Sequence, residues 1–387
     1  MAHRPGKSDA IKAQVGFIIF LIVNFIFSIR CIAKATRFYL PIAIIITLIC
    51  ILIWRLRNEY SFSKKAYKIV NPAILILFAL GSCIVFAKIP AASLEVDRWS
   101  TVTSFWESFF SGKYVYHAKS HMGNLPGEMP FYFLLAFPFY ILGELGYFSV
   151  LGIVVFYIIL KKHHISSAQQ FTMLLLIVFS TFYLWEIVVR GNLFLNGALI
   201  LGSILYLLKI PPKKKLLRLL LSGIVIGLLL AVRGVFVIPY IIAFLYLIRM
   251  RKLSNTDMLL TGVVAIICFA ITFIPFVYDH SADFYKSNPF IQDCALPFGA
   301  AVFFGLLAFI AGLIIQNKYE IYFYSGLILF LMALAHLASC IYYNGFNGAF
   351  EQGKANISYL ILCIPFFLFY QAKIETLQNI YKLEKIR

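Results

Sequence analysis

The chain has 387 residues, of which 62% are hydrophobic and only 13% charged, with 34 Lys plus Arg against 16 Asp plus Glu for a net charge of +18. An ordinary soluble domain is about 45–50% apolar and about 25% charged, so a single aqueous core and an intrinsically disordered chain are both excluded. The basic excess does not point to nucleic acid, because it sits in short clusters between apolar runs, the pattern by which a polytopic membrane protein sets its orientation.

A helix needs roughly 20 mostly apolar residues to cross the hydrocarbon layer. In chain order the runs predict spans near 15–29, 38–54, 69–87, 130–160, 171–189, 193–208, 216–232, 235–248, 258–278, 295–315, 321–342 and 357–370. The expected fold is therefore an all-α polytopic membrane protein of about 12 transmembrane helices in one membrane domain. Helices are preferred over a barrel because the runs are long and lack polar alternation. The 130–160 run is long for one crossing. Gly143 and Gly146 bracket Glu144 within it, which predicts a partly embedded helix followed by a spanning one. The first run lacks a small-residue cleavage site and reads as a retained span.

Basic clusters orient the map. Arg55, Arg57, Lys64, Lys65 and Lys68 form one; Lys161 and Lys162 a second; Lys209, Lys213, Lys214, Lys215 and Arg218 a third; Arg249, Arg251 and Lys252 a fourth. A basic tail at 371–387 joins them, and all fall on one side, which the positive-inside rule makes cytoplasmic. The segment with Arg30, Lys34 and Arg37 is the misfit. The opposite, external side then receives 88–129, the turns at Arg190–Asn192 and Arg233–Gly234, and the loops 279–294 and 343–356. Seven scattered cysteines give no disulfide framework, and only Cys294 lies in an external loop. There is no phosphate-binding Gly-rich loop and no HExxH.

The segment 88–129 is the longest between spans, and such loops are functional or disordered. It holds Glu95, Asp97, Arg98, Glu107, His117, His121 and Glu128. Trp99, Trp106, Tyr114 and Tyr116 suit the depth of the interface, so short interfacial helices are expected. Glu95-Val-Asp97 is its sharpest feature. Two carboxylates two residues apart can share a divalent cation, or one can serve as base while the other orients it. The competing reading is a solvated helix end, with Asp97 paired to Arg98 or Lys88. Arg190 and Arg233 lie in tight external turns outside the basic clusters. Arg suits bidentate phosphate recognition, and snorkelling to headgroups is the alternative. His117 and His121, four apart, would share a helical face, as weak candidates for a metal or for a sugar. Glu128 and Asn192 are further candidates for sugar or acceptor. Asp279, Asp283 and Asp293, and separately Asn344, Asn347, Glu351, Gln352 and Lys354, make polar outer loops.

An E-x-D pair in the first large external loop of a multi-span chain resembles the GT-C superfamily of integral membrane glycosyltransferases. Phe110–Tyr114, Pro126–Tyr132 and the run FYFLLAFPFYILG resemble the aromatic/Gly stretch and the Pro-aromatic helix of its bacterial, mannosyltransferase-like members. Arg190-Gly191-Asn192 and Gly223 to Arg233 resemble their later helices. The match covers roughly 90–240, and Glu128-Met129-Pro130 stands where many members have Tyr-Pro-Pro. The resemblance implies an inverting hexosyltransferase of cell-envelope glycan assembly, in a bacterial inner or plasma membrane with its active site outside. Its donor would be a polyprenyl-phosphate sugar and its acceptor a glycan, lipid or protein on the outer face. Asp97 would be the base, Glu95 would orient it or help hold a metal, and Arg233 and Arg190 would bind the lipid phosphate. Two other readings compete. A surface-polysaccharide polymerase or ligase would use arginines in later external loops, and 279–294 and 343–356 contain none. A transporter or flippase would place ionisable groups at mid-span, where Glu186 and His336 are the candidates.

Overall fold

The computed structural model describes residues 5–34, 36–60, 62–209, 215–292, 296–350 and 355–386, and among them the chain is all helical, without a strand. The helices are α1 (Lys7–Ala33), α2 (Tyr39–Arg55), α3 (Lys64–Lys88), α4 (Arg98–Phe110), α5 (Pro130–Ile141), α6 (Gly146–Lys162), α7 (Ser167–Val178), α8 (Thr181–Val188) and α9 (Leu193–Leu207). They continue with α10 (Lys215–Leu230), α11 (Val237–Arg249), α12 (Asn255–Ile271), α13 (Ile274–Val277), α14 (Ser281–Lys286), α15 (Pro289–Gln292), α16 (Phe298–Ile314), α17 (Glu320–Phe350) and α18 (Ile364–Ile386). Lys213, Lys214, Asp293, Cys294, Glu351, Gln352 and Lys354 lie outside the described residues.

Every apolar run carries helix, but helix is not the same as crossing. Among the described residues six segments are long and apolar enough to cross a membrane: 7–33, 39–58, 64–88, 255–286, 320–350 and 357–381. Two bent pairs, α5 with α6 at 113° and α7 with α8 at 61°, raise the number to eight. The expectation of about 12 is thus met only in part, because α9 and α16 are apolar but short, as is the stretch 234–249 that contains α11. The bend at 142–145 falls where the glycines predict it. Gly143 takes φ 78°, a left-handed backbone that glycine adopts without a Cβ clash. The Glu144 carboxylate then accepts the Gly146 N–H at 2.7 Å and starts the next helix.

The chain divides into two compact units. The first comprises 1–87, 149–198 and 319–387. Its centre is the last helical segment, whose most apolar window is 89% buried, packed by α1, α7 and α17. Gly16 and Gly326 let the neighbours approach: an added Cβ would lie 3.0 Å from the Phe367 ring and 3.2 Å from Phe366 Cβ, respectively. The basic segment that begins at 371 starts inside the packed unit. It continues α18, with Ala372 and Ile374 fully buried, because apolar residues persist on the face that the preceding turns bury. Lys373 donates to His163 O at 2.9 Å and Arg57 to Glu375 Oε1 at 2.7 Å. Lys12 pairs with Glu320.

Two breaks in this unit are held by side chains from elsewhere. Between α7 and α8 the Thr181 N–H has lost its helical partner, and Asn24 Oδ1 of α1 accepts it at 2.7 Å. Ser28 and Thr181 hydroxyls bond at 2.7 Å beside it. Between α8 and α9 the backbone makes a Schellman turn. Gly191 N–H reaches Glu186 O at 2.6 Å, Arg190 N–H reaches Ile187 O at 3.3 Å, and Arg190 takes φ 57°. Glu186, 1% exposed, then accepts the Leu193 and Phe194 N–H groups at 2.8 and 2.9 Å. Its carboxylate is therefore a helix cap, and that accounts for its depth. An apolar groove of about 520 Å³ runs between α3 and the bent α7–α8 pair, walled by Ile74, Phe78, Val85, Leu175, Leu184 and Val188 among others.

The second unit comprises 88–148 and 199–318. Within it α10 packs on α12 through Gly223, where an added Cβ would come within 2.8 Å of both Thr261 O and Val264 Cβ. Close approach through small residues is how membrane helices gain packing when lipid supplies no hydrophobic drive. Helix α11 packs on α16 through Gly312 in the same way, 2.7 Å from Leu245 Cβ. Lys215 and Asp257 pair at 2.5 Å, and the Ser203 and Tyr240 hydroxyls bond at 2.7 Å. The Phe131 N–H, at the start of α5, donates to Ala231 O just beyond α10 at 2.9 Å.

Candidate functional site

The loop 88–129 is ordered by its aromatic residues, of which Trp106, Tyr114 and Tyr116 are buried against the protein where the sequence suggests interfacial anchors. Phe105 of α4 stacks on Phe133 of α5 with ring centroids 3.6 Å apart and planes 2° from parallel. Trp106, 4% exposed, meets Phe137 at 4.4 Å. These contacts fix α4 on α5, and α4 in turn fixes Asp97, which stands immediately before its first residue.

Asp97 is partly exposed. An Asp at this position ordinarily spends its side chain on the first N–H groups of its own helix. Here it makes no such bond. Its carboxylate turns to the segment 118–124 instead, where Oδ2 accepts from Ser120 Oγ at 2.8 Å and from Asn124 Nδ2 at 2.7 Å. Among the described residues no hydrogen-bond donor reaches Oδ1. Glu95 lies exposed in the bend before α4, after a short turn at Ala91–Ser93.

The loop that holds Asp97 is itself locked. Ser120 N–H donates to Asn124 O at 2.9 Å, Gly123 N–H to Ser120 O at 2.9 Å, and Asn124 N–H to Ser120 Oγ at 3.2 Å. The turn depends on Gly123 at φ 80°. His121 fastens it to the head of α4. The Ser100 hydroxyl lies 2.7 Å from its Nδ1, and its Nε2 lies 3.3 Å from Leu94 O. His117 and His121 do not share a helical face: His117 ends a single 3₁₀ turn, Val115–His117, and the chain then leaves helix toward Gly123. Among the described residues no three of His, Cys, Asp or Glu converge as a metal-ligand set.

Glu128 and Arg233 form a second element of this unit. Arg233 is 7% exposed and its Nη2 donates to Glu128 Oε1 at 3.0 Å. Gly234 leaves room beside it, since the nearest atom to an added Cβ would be Met129 Cε at 3.5 Å. Tyr116, fully buried, links this pair to α4. Its ring lies 5.8 Å from Phe105 and its hydroxyl donates to Glu128 O at 3.4 Å. Burial pushes the Tyr116 phenol well above its ordinary range, and Tyr114 and Glu128 add to the shift. Tyr114 is raised as well, by burial first and by Asp283 second. Its hydroxyl donates to Ser287 O at 2.6 Å, and Ser287 Oγ donates to Tyr116 O at 3.0 Å. The segment 280–288 thus straps the inner part of the loop, with His117 and His280 rings 4.9 and 5.5 Å from Tyr114.

Arg190 and Asn192 belong to the first unit. Arg190 is 1% exposed, donates from Nη1 to Val188 O at 2.7 Å and lies 5.0 Å over the Phe86 ring. Asn192 Oδ1 accepts from Asn196 Nδ2 at 3.2 Å. The structure therefore brings together Asp97 and the loop of His121, and separately Glu128 and Arg233. It adds Ser100, Ser120 and Asn124, which the sequence does not single out. Small polar residues 23 and 27 positions from their carboxylate carry no local signal. The chain matches no family model, no curated protein and no solved structure.

Proposed function

We propose that the chain is a membrane-embedded glycosyltransferase that takes a hexose from a polyprenyl-phosphate donor and passes it, with inversion, to a hydroxyl of a glycan, lipid or protein on the outer face of a bacterial membrane. The observation that carries the reading is Asp97: a partly exposed carboxylate diverted from capping its own helix, one oxygen fixed by two donors and the other accepting none among the described residues. That is the arrangement a general base needs, an acceptor atom at a set position with an open side for the incoming hydroxyl. Oδ1 takes the acceptor's proton, the acceptor oxygen attacks the anomeric carbon, and the bond from that carbon to the phosphate oxygen breaks. The electron pair leaves with the polyprenyl phosphate.

Arg233 supplies the charge for that leaving group. A guanidinium has five N–H donors in a planar fork, and Glu128 engages one nitrogen of it. A phosphate that comes within reach of this guanidinium gains charge-assisted bonds that strengthen as negative charge develops. The apolar groove of the first unit fits a protein that handles lipid chains. In this reading the shorter helices α9, α11 and α16, with α10 and the bent pairs, complete about 12 crossings, and 88–129 lies outside. The transporter reading loses its first candidate, since the Glu186 carboxylate is committed to two backbone N–H groups.

The test is turnover by the purified full chain in proteoliposomes, offered a panel of radiolabelled polyprenyl-phosphate hexoses with membrane glycolipid acceptors. The expected result is release of polyprenyl phosphate and a product of inverted anomeric configuration. Failure across the panel, or transfer from a nucleotide sugar instead, overturns the reading.

A further inference from the structure

We propose that Ser120 and Asn124 are positioning residues, a two-donor clamp that fixes which oxygen of Asp97 acts as base. The inference rests on the reading of Asp97 as the base and deepens it. Both donors converge on Oδ2, at 2.8 and 2.7 Å. A carboxylate with a single bond can still rotate about its Cβ–Cγ axis, and its two oxygens then exchange roles. Two donors on one oxygen, from residues four apart in a locked turn, remove that freedom. Oδ1 is then the atom presented to an acceptor hydroxyl, always in one direction.

Three features show that the clamp is built and is not incidental. The donors are tied to each other as well as to Asp97, through Asn124 N–H to Ser120 Oγ at 3.2 Å and Ser120 N–H to Asn124 O at 2.9 Å. Their loop is pinned by His121 to Ser100 and Leu94, on either side of Asp97 in the chain. Asp97 also forgoes the cap of α4, the bond that ordinarily steadies a helix start. The α4 start keeps other support, because Asp97 O accepts from Thr101 N–H and from Thr101 Oγ1, each at 2.8 Å. The carboxylate is thereby released from structural duty and held for the loop.

Catalytic geometry is sensitive to such support: a misplacement of about 1 Å can cost on the order of 10²-fold in rate. Ser120→Ala and Asn124→Ala are each expected to lower kcat about tenfold, and the double variant on the order of 10²-fold, with donor KM changed less than about threefold. Ser120→Thr keeps the hydroxyl and is expected to restore most of kcat. A second readout needs no substrate. The full chain in nanodiscs is treated with a water-soluble carbodiimide and glycine ethyl ester, and peptide mass spectrometry follows Asp97 against the exposed Glu107. Freeing Oδ2 is expected to raise labelling of Asp97 severalfold while Glu107 stays constant. Labelling that rises at both positions means a general loosening and overturns the clamp, as does a double variant with wild-type kcat while Asp97→Asn is inactive. An Asp97→Asn variant as active as wild type is a different failure, that of the base itself.

Discussion

Glu186 offers the sharpest structural prediction. Its carboxylate, 1% exposed, accepts the N–H groups of Leu193 and Phe194 at 2.8 and 2.9 Å and so closes the gap between α8 and α9. Glu186→Ala strands both N–H groups in a buried turn, since Leu193 and Phe194 are themselves buried. Hydrogen bonds to a charged group contribute about 1.5–3 kcal/mol each, and the negative charge also complements the positive end of α9. Desolvation of the carboxylate offsets part of this, so the variant is expected to lose about 3–5 kcal/mol. Glu186→Gln keeps one accepting oxygen but turns an NH₂ toward the second N–H, and about 2 kcal/mol should go. Denaturant titration of the full chain in lipid nanodiscs measures the loss, and hydrogen exchange at the Leu193 and Phe194 amides localises it. If Glu186→Ala unfolds with wild-type midpoint and wild-type protection at those two amides, the cap argument is wrong.

Three other expectations follow from the second unit. Gly223→Val should destabilise the α10–α12 contact by about 1–3 kcal/mol, because the first added carbon already meets Thr261 O and Val264 Cβ at 2.8 Å; a wild-type melting curve contradicts it. Tyr114 is held protonated above its ordinary range by burial and by Asp283. Its bond to Ser287 O therefore contributes fully below about pH 10, and stability falls as pH rises beyond that, where the unfolded chain ionises first. Tyr114→Phe should lose about 1 kcal/mol at neutral pH and flatten the alkaline fall, both readable from melting temperature against pH. Arg233→Ala should raise donor KM tenfold or more with acceptor KM nearly unchanged, since it removes charge-assisted bonds to phosphate; a change confined to the acceptor removes the phosphate assignment.

The helices were legible because uninterrupted apolar runs leave the backbone no other way to satisfy its polar groups. The bend at Gly143 was legible too, since glycine marks it in the sequence. The break at Phe179–Ser180 was not. No glycine or proline stands there, and what supports it is Asn24, 157 residues from the amide it accepts. Crossing number is legible only in part: six to eight segments have the length to cross, whereas α9 and α16, and the stretch 234–249, are apolar but short, and hydropathy alone does not report length. At the site, Glu95-Val-Asp97 drew attention by the rarity of carboxylates in this chain. The partners of Asp97 were silent, because Ser120 and Asn124 matter only once Gly123 folds their loop back on α4. The spacing of His117 and His121 suggested a helix that the chain does not form. His121 serves the loop, and Arg190 serves a turn whose left-handed position is usually a glycine's.

The measurement that bears most directly on the account is sugar transfer by Asp97→Asn in proteoliposomes, beside wild type and with equal insertion checked. An amide at Asp97 keeps the size of the side chain and loses its ability to take a proton. The account predicts a fall in kcat of about 10²–10⁴-fold. Transfer at the wild-type rate would mean that no proton passes through this carboxylate.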